Sequence, residues 1–94
     1  MKLNSKFLTH NTNGQHYLIS TGDIKFKGII KNNDTAAFII ECLKENTTET
    51  DIVDKILNEY SVTNRKKVEK DVRDVIEKLH SIGAIEEWLI FIKI

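Results

Sequence analysis

The sequence predicts a single α+β domain, a small antiparallel sheet of three strands followed by three helices. Three observations carry this. Up to Lys31 the apolar residues come in short runs that alternate with polar ones and are broken by Asn, Gly and Thr; from Asn33 they recur every three or four positions; and 94 residues leave room for one core only.

Phe7-Leu8-Thr9-His10 and His16-Tyr17-Leu18-Ile19-Ser20 are β-type runs on either side of Asn11-Thr12-Asn13-Gly14, the pattern of a hairpin. Thr21-Gly22-Asp23 makes a second turn. From Ile24 to Lys31 apolar and cationic residues alternate at the strand period, as in a third strand whose lysines keep an unpaired edge soluble. Gly28 permits a bulge there, or the close approach of another backbone.

Asn33 or Asp34 can cap the first helix, whose Ala36, Ala37, Phe38, Ile40 and Leu43 make an apolar surface. Thr48-Glu49-Thr50-Asp51 resembles a capping box, and Ile52, Val53, Ile56, Leu57 and Tyr60 give the second helix its buried side, with an end near Tyr60. Thr63 or Asn64 can cap the third and longest helix, in which Val68, Val72, Val75, Ile76, Leu79 and Ile82 form one stripe before Gly83 stops it. Trp88 to Ile94 has six large apolar residues among seven, a strand-like composition that something must cover. The chain therefore divides into a domain over residues 1–87 and an apolar tail over 88–94.

Composition narrows the function. Hydrophobic residues are 40% and charged residues 30% of the chain, a folding balance, and 14 basic against 14 acidic residues give a net charge of zero. That removes the bulk attraction to phosphate typical of nucleic-acid binders. The charge is segregated, however: residues 1–31 sum to +4 and residues 41–60 to −4. A core this small argues against the deep, water-excluding pocket of an enzyme.

Cys42 is the one cysteine, beside Leu43 on an apolar helix side, and reads as a packed thiol; no internal disulfide can form. His10, His16 and His80 lie in three separate segments with no carboxylate or cysteine spacing to join them, so no metal site and no cofactor is expected. No Gly-rich phosphate loop or nucleophile elbow appears. No apolar run approaches the roughly 20 residues that span a bilayer, no signal-peptide pattern opens the chain, and the sequence reads as cytosolic. Asn33-Asp34-Thr35 and Asn46-Thr47-Thr48 match the glycosylation tripeptide but sit where helices begin, and their side chains serve better as caps.

Several stretches, in order, resemble the PqqD family, also called RiPP recognition elements. They are Asn33-Asp34-Thr35-Ala36-Ala37-Phe38-Ile39-Ile40, Thr48-Glu49-Thr50-Asp51-Ile52-Val53, Tyr60-Ser61-Val62, Val68 with Asp71-Val72, and Leu79 with Gly83-Ala84-Ile85. The resemblance covers about residues 5–86. Asn32 stands where the family has an apolar residue, and the tail from Trp88 lies beyond the point where typical members end. The resemblance implies a winged helix-turn-helix-like fold and a non-catalytic peptide chaperone. Such a protein binds the leader of a ribosomally made precursor peptide as an added strand beside strand three, in a groove walled by helix three. It presents the peptide to a maturation enzyme, often a radical SAM protein.

The residues support the same mechanism. An open strand edge offers N–H and C=O groups that an extended peptide completes, while neighbouring side chains give specificity. On strand three that places Lys25, Phe26, Lys27, Gly28, Ile29 and Ile30 in the candidate peptide site; on helix three it places Val68, Val72 and Val75 as an apolar wall, with Asp71 at its border. Lys25 and Lys27 would suit the acidic, amphipathic leaders that the resemblance suggests. Each residue has a plainer use. Phe26, Ile30 and the three valines are core candidates, in which case Ile29 serves the groove; Lys25, Lys27 and Lys31 can be ordinary edge protection; Asp71 can pair with Arg65 or Lys67.

Two other readings use the same sequence. Arg65-Lys66-Lys67, Lys70 and Arg73 open the third helix as they would a DNA-recognition helix, although Glu69, Asp71, Asp74 and Glu77 are interleaved with them. Alternatively, residues 88–94 pair with another chain and the module is a structural homodimer.

Overall fold

The computed structural model describes residues 1–21, 28–61 and 63–86. Its elements run β1 (Lys2–Leu3), β2 (Phe7–Thr12), β3 (Gln15–Ser20), β4 (Ile29–Asn32), α1 (Asp34–Cys42), α2 (Glu49–Tyr60), α3 (Arg65–Ser81) and β5 (Ile85–Glu86). The expected architecture of a three-stranded antiparallel sheet followed by three helices holds, with strand order β2-β3-β4.

The hairpin is tighter than its punctuation suggests. Only Asn13 and Gly14 turn, at φ 51 and 73, because a two-residue turn that matches the right-handed strand twist needs positive φ at both positions. Strand pairing then continues to Thr12↔Gln15. β4 pairs with β3 through Ile19↔Ile29, Leu18↔Ile30, Tyr17↔Lys31 and His16↔Asn32, so the strand runs through Asn32 despite its polar side chain.

The helix starts are fixed by caps. The Asn33 side chain accepts from the Ala36 N–H at 2.7 Å, Thr48 from Asp51 at 3.1 Å and Asn64 from Lys67 at 3.1 Å, each satisfying a donor that the first turn leaves free. α2 ends with Ser61 in the left-handed region, and Gly83 takes φ 78 just beyond α3.

The core joins Phe7 and Leu18 of the sheet to Ile39, Ile40 and Leu43 from α1, Ile52, Val53 and Ile56 of α2, and Val68, Val72, Ile76 and Leu79 of α3. α1 packs on β3 and β4, and α3 packs on α2 and α1.

One pairing departs from the expectation. Ile85 and Glu86, for which no strand is expected, form β5 and pair antiparallel with β1 as Lys2↔Glu86 and Leu3↔Ile85. Asn4 N–H bonds the Ala84 carbonyl at 2.7 Å and Leu3 N–H bonds the Leu43 carbonyl at 2.7 Å, so the first residues brace the ends of α3 and α1. The apolar tail at 88–94, with any homodimer it would make, lies outside the described residues.

Candidate functional site

β4 is an edge strand: its one pairing among the described residues is with β3. Which of its backbone groups face outward follows from register. The Ser20 N–H donates to the Gly28 carbonyl at 3.1 Å, which makes Ser20 and Gly28 a hydrogen-bonded pair. Such pairs alternate in an antiparallel ladder, so Gly28, Ile30 and Asn32 turn their N–H and C=O groups toward β3, and Ile29 and Lys31 turn theirs away from it. The open edge therefore offers two full donor–acceptor positions. Gly28 is not one of them. Its N–H donates to Ser20 Oγ at 2.9 Å, and its φ of 152 is a conformation L side chains rarely adopt.

Side chains alternate by the same register. Ile30 faces the helices and is half-buried against the core, while Ile29 is 66% exposed on the other face. Beside β4 lies an open groove of about 400 Å³. Ile30, Lys31 and Asn32 form one wall, Val75, Lys78, Leu79, Ser81 and Ile82 of α3 form the other, and Asn33 and Ala36 close the floor at the start of α1. Among the described residues the lining carries two lysines and no carboxylate, which makes this part of the groove apolar with a positive rim. A second hollow of about 260 Å³ lies further along α3, where Val68, Ile56 and Tyr60 are bordered by Lys67, Asp71 and Asp34.

The expected wall residues thus separate. Val75 lines the groove. Val68 and Asp71 line the second hollow, and Asp71 accepts from Lys67 Nζ at 3.2 Å. Val72, also expected in the wall, is 0% exposed and belongs to the buried core. Lys25, Phe26 and Lys27 lie outside the described residues. Lys78, Leu79 and Ile82, which the sequence does not single out for the site, line the groove with Val75, and the spacing Val75–Leu79–Ile82 is the helical i, i+4, i+7 signal that points to them.

Four of the five cations opening α3, Arg65, Lys67, Lys70 and Arg73, are engaged within the protein. Arg65 bonds Asp54 at 2.9 Å and Glu69 at 3.2 Å, Lys70 bonds Asp74 at 2.9 Å, and Arg73 reaches Glu49 at 3.9 Å. The hydrogen bond from Lys70 holds the Asp74 carboxyl below its ordinary value, and Asp54, then Glu69, raise the Arg65 guanidinium. Burial pushes the Cys42 thiol up, against a smaller opposing effect of Lys55. His16 bridges Asn11 Oδ1 at 2.8 Å and Asp34 Oδ1 at 3.0 Å, tying the hairpin to the start of α1. Among the described residues no three His, Cys, Asp or Glu side chains gather as a metal cluster, and no helix is long and apolar enough to cross a membrane.

Among the described residues, then, this is an α+β domain whose sheet ends on an open strand beside a helix-walled groove. The profile of the family described as Coenzyme PQQ synthesis protein D (PqqD) matches residues 16–85, and the chain belongs to that family. Two solved structures share its fold. TbiB1 in complex with the TbiA(beta) leader peptide is 25% identical with a TM-score of 0.77, the alignment covering 94% of this chain and 98% of that one. A lasso peptide synthetase B1 complexed with the leader peptide is 21% identical with a TM-score of 0.73, covering 92% and 96%. No curated protein matches the chain.

Proposed function

We propose that this protein binds the leader segment of a ribosomally made precursor peptide by strand addition along β4 and carries it to a separate peptide-modifying enzyme, itself catalysing nothing. The carrying observation is the open β4 edge, with the outward backbone of Ile29 and Lys31, set against the apolar, carboxylate-free groove of α3. Family membership and the leader-bound state of the TbiB1 structure support the reading. In this pose, leader side chains opposite Ile30 and Asn32 enter the groove toward Val75, Leu79 and Ile82, and those opposite Ile29 and Lys31 face outward. Lys78 on the groove wall favours an acidic leader. The modifying enzyme is of the radical SAM kind or another peptide-maturation class.

The DNA reading loses its support at α3, where Arg65, Lys67, Lys70 and Arg73 are all answered by carboxylates. A phosphate would have to displace those carboxylates and then sit beside them. The test is a titration of a synthetic leader, taken from a short precursor open reading frame beside the gene, against a Val75→Asp variant. A charge on the groove wall should weaken binding by about tenfold or more, since it buries an unpaired carboxylate. Equal affinity in a folded variant would remove the groove from the mechanism.

A further inference from the structure

The face of the sheet turned away from the helices is not the polar surface expected of a half-solvated antiparallel sheet. The register sets Leu8, Ile19 and Ile29 side by side across β2, β3 and β4. Leu8 is 57% and Ile29 66% exposed, two of the large apolar residues left most open to solvent among the described residues. The next row is His10, Tyr17 and Lys31. Neither row holds a carboxylate, so the patch is apolar with cationic character alone.

We propose that this outer face docks the peptide-modifying enzyme, through an enzyme surface that is apolar and bordered by carboxylates, and that the bound leader completes the face. The inference rests on strand addition at β4. An added strand continues the two rows across the sheet edge, because residues directly opposite one another project to the same face. A leader side chain opposite Ile29 then extends the apolar row, and one opposite Lys31 extends the charged row. The docking face is thereby continuous with the peptide site and is whole only when the peptide is present, so the enzyme meets loaded carrier in preference to empty carrier.

Charge and size argue against a second copy as the occupant. Two such faces stacked together would oppose cations with no carboxylate to answer them. Three apolar side chains also fall well short of the roughly 800 Å² per partner that a stable interface buries. An acid-bordered enzyme surface answers the lysine, and the leader strand supplies the missing area.

Leu8 separates the two functions, since it lies two strands from the open edge, about 10 Å away, and cannot touch the leader. The experiment uses the full chain, the synthetic leader and the purified modifying enzyme encoded beside the gene, with Leu8→Glu and the milder, strand-compatible Leu8→Thr. Leader affinity should stay within about twofold in both variants. Enzyme affinity for wild type should rise about tenfold when leader is present, and both variants should lose about tenfold or more of it, Leu8→Glu the more. Sedimentation of each protein is run alongside. Unchanged enzyme affinity in the variants overturns the docking face, as does a wild-type self-association that Leu8→Glu abolishes, which would give the face to a second copy. A wild-type chain that binds no leader fails at the earlier step and removes the strand-addition reading itself.

Discussion

The open edge can be tested at a single backbone atom. Lys31 presents its N–H away from β3, and its side chain is exposed, so Lys31→Pro deletes one outward donor without disturbing the β3–β4 ladder. Lys31→Ala removes the same side chain and keeps the donor, so the difference between the two variants isolates the hydrogen bond. A backbone hydrogen bond contributes about 0.5–1.5 kcal/mol net, and a leader carbonyl left without a partner costs somewhat more, so Lys31→Pro should bind leader about three- to tenfold more weakly than Lys31→Ala. Fluorescence anisotropy with labelled leader measures this, with circular dichroism melts to confirm that both variants fold. Gly28→Pro would mislead, because it would break the Gly28 N–H bond to Ser20 Oγ and force φ away from 152, damaging the strand itself. Equal affinities for Lys31→Pro and Lys31→Ala would mean that the leader does not zip onto β4, and the reasoning from register would be refuted.

Charge reversal at the groove rim, Lys78→Glu, should weaken an acidic leader several-fold at low ionic strength and much less in ~0.5 M salt, because exposed charges are screened; a salt series of titrations reads it. Leu18→Ala, at a wholly buried position in the central strand, should cost about 2–5 kcal/mol in denaturant unfolding. The Asp74 carboxyl, held below its ordinary value near 3.8 by the Lys70 hydrogen bond, contributes to stability above that value, and the contribution is lost as pH falls through the depressed one. Lys70→Ala should therefore move the Asp74 titration to higher pH, which carboxyl carbon NMR shifts would record directly.

Signals spanning a few residues carried most of the architecture. Asn33, Thr48 and Asn64 each accept from the amide three positions ahead, Asn13-Gly14 turns on its own backbone freedom, and the helix stripes repeat within one element, so each can be read from neighbouring letters. The β1–β5 pair left no such trace: two-residue strands too short for periodicity meet across the length of the chain. The edge strand could be anticipated from its lysines, but not which of its amides point outward, because that depends on the Ser20–Gly28 bond setting the parity of the whole ladder. Val72 and Val75 are chemically identical and stand on the same helix, yet one is wholly buried in the core while the other lines the groove. Composition and spacing could name the apolar stripe; only the packing of α1 and α2 against α3 divided it into core and groove lining, since burial is a property of neighbours brought together from distant parts of the chain.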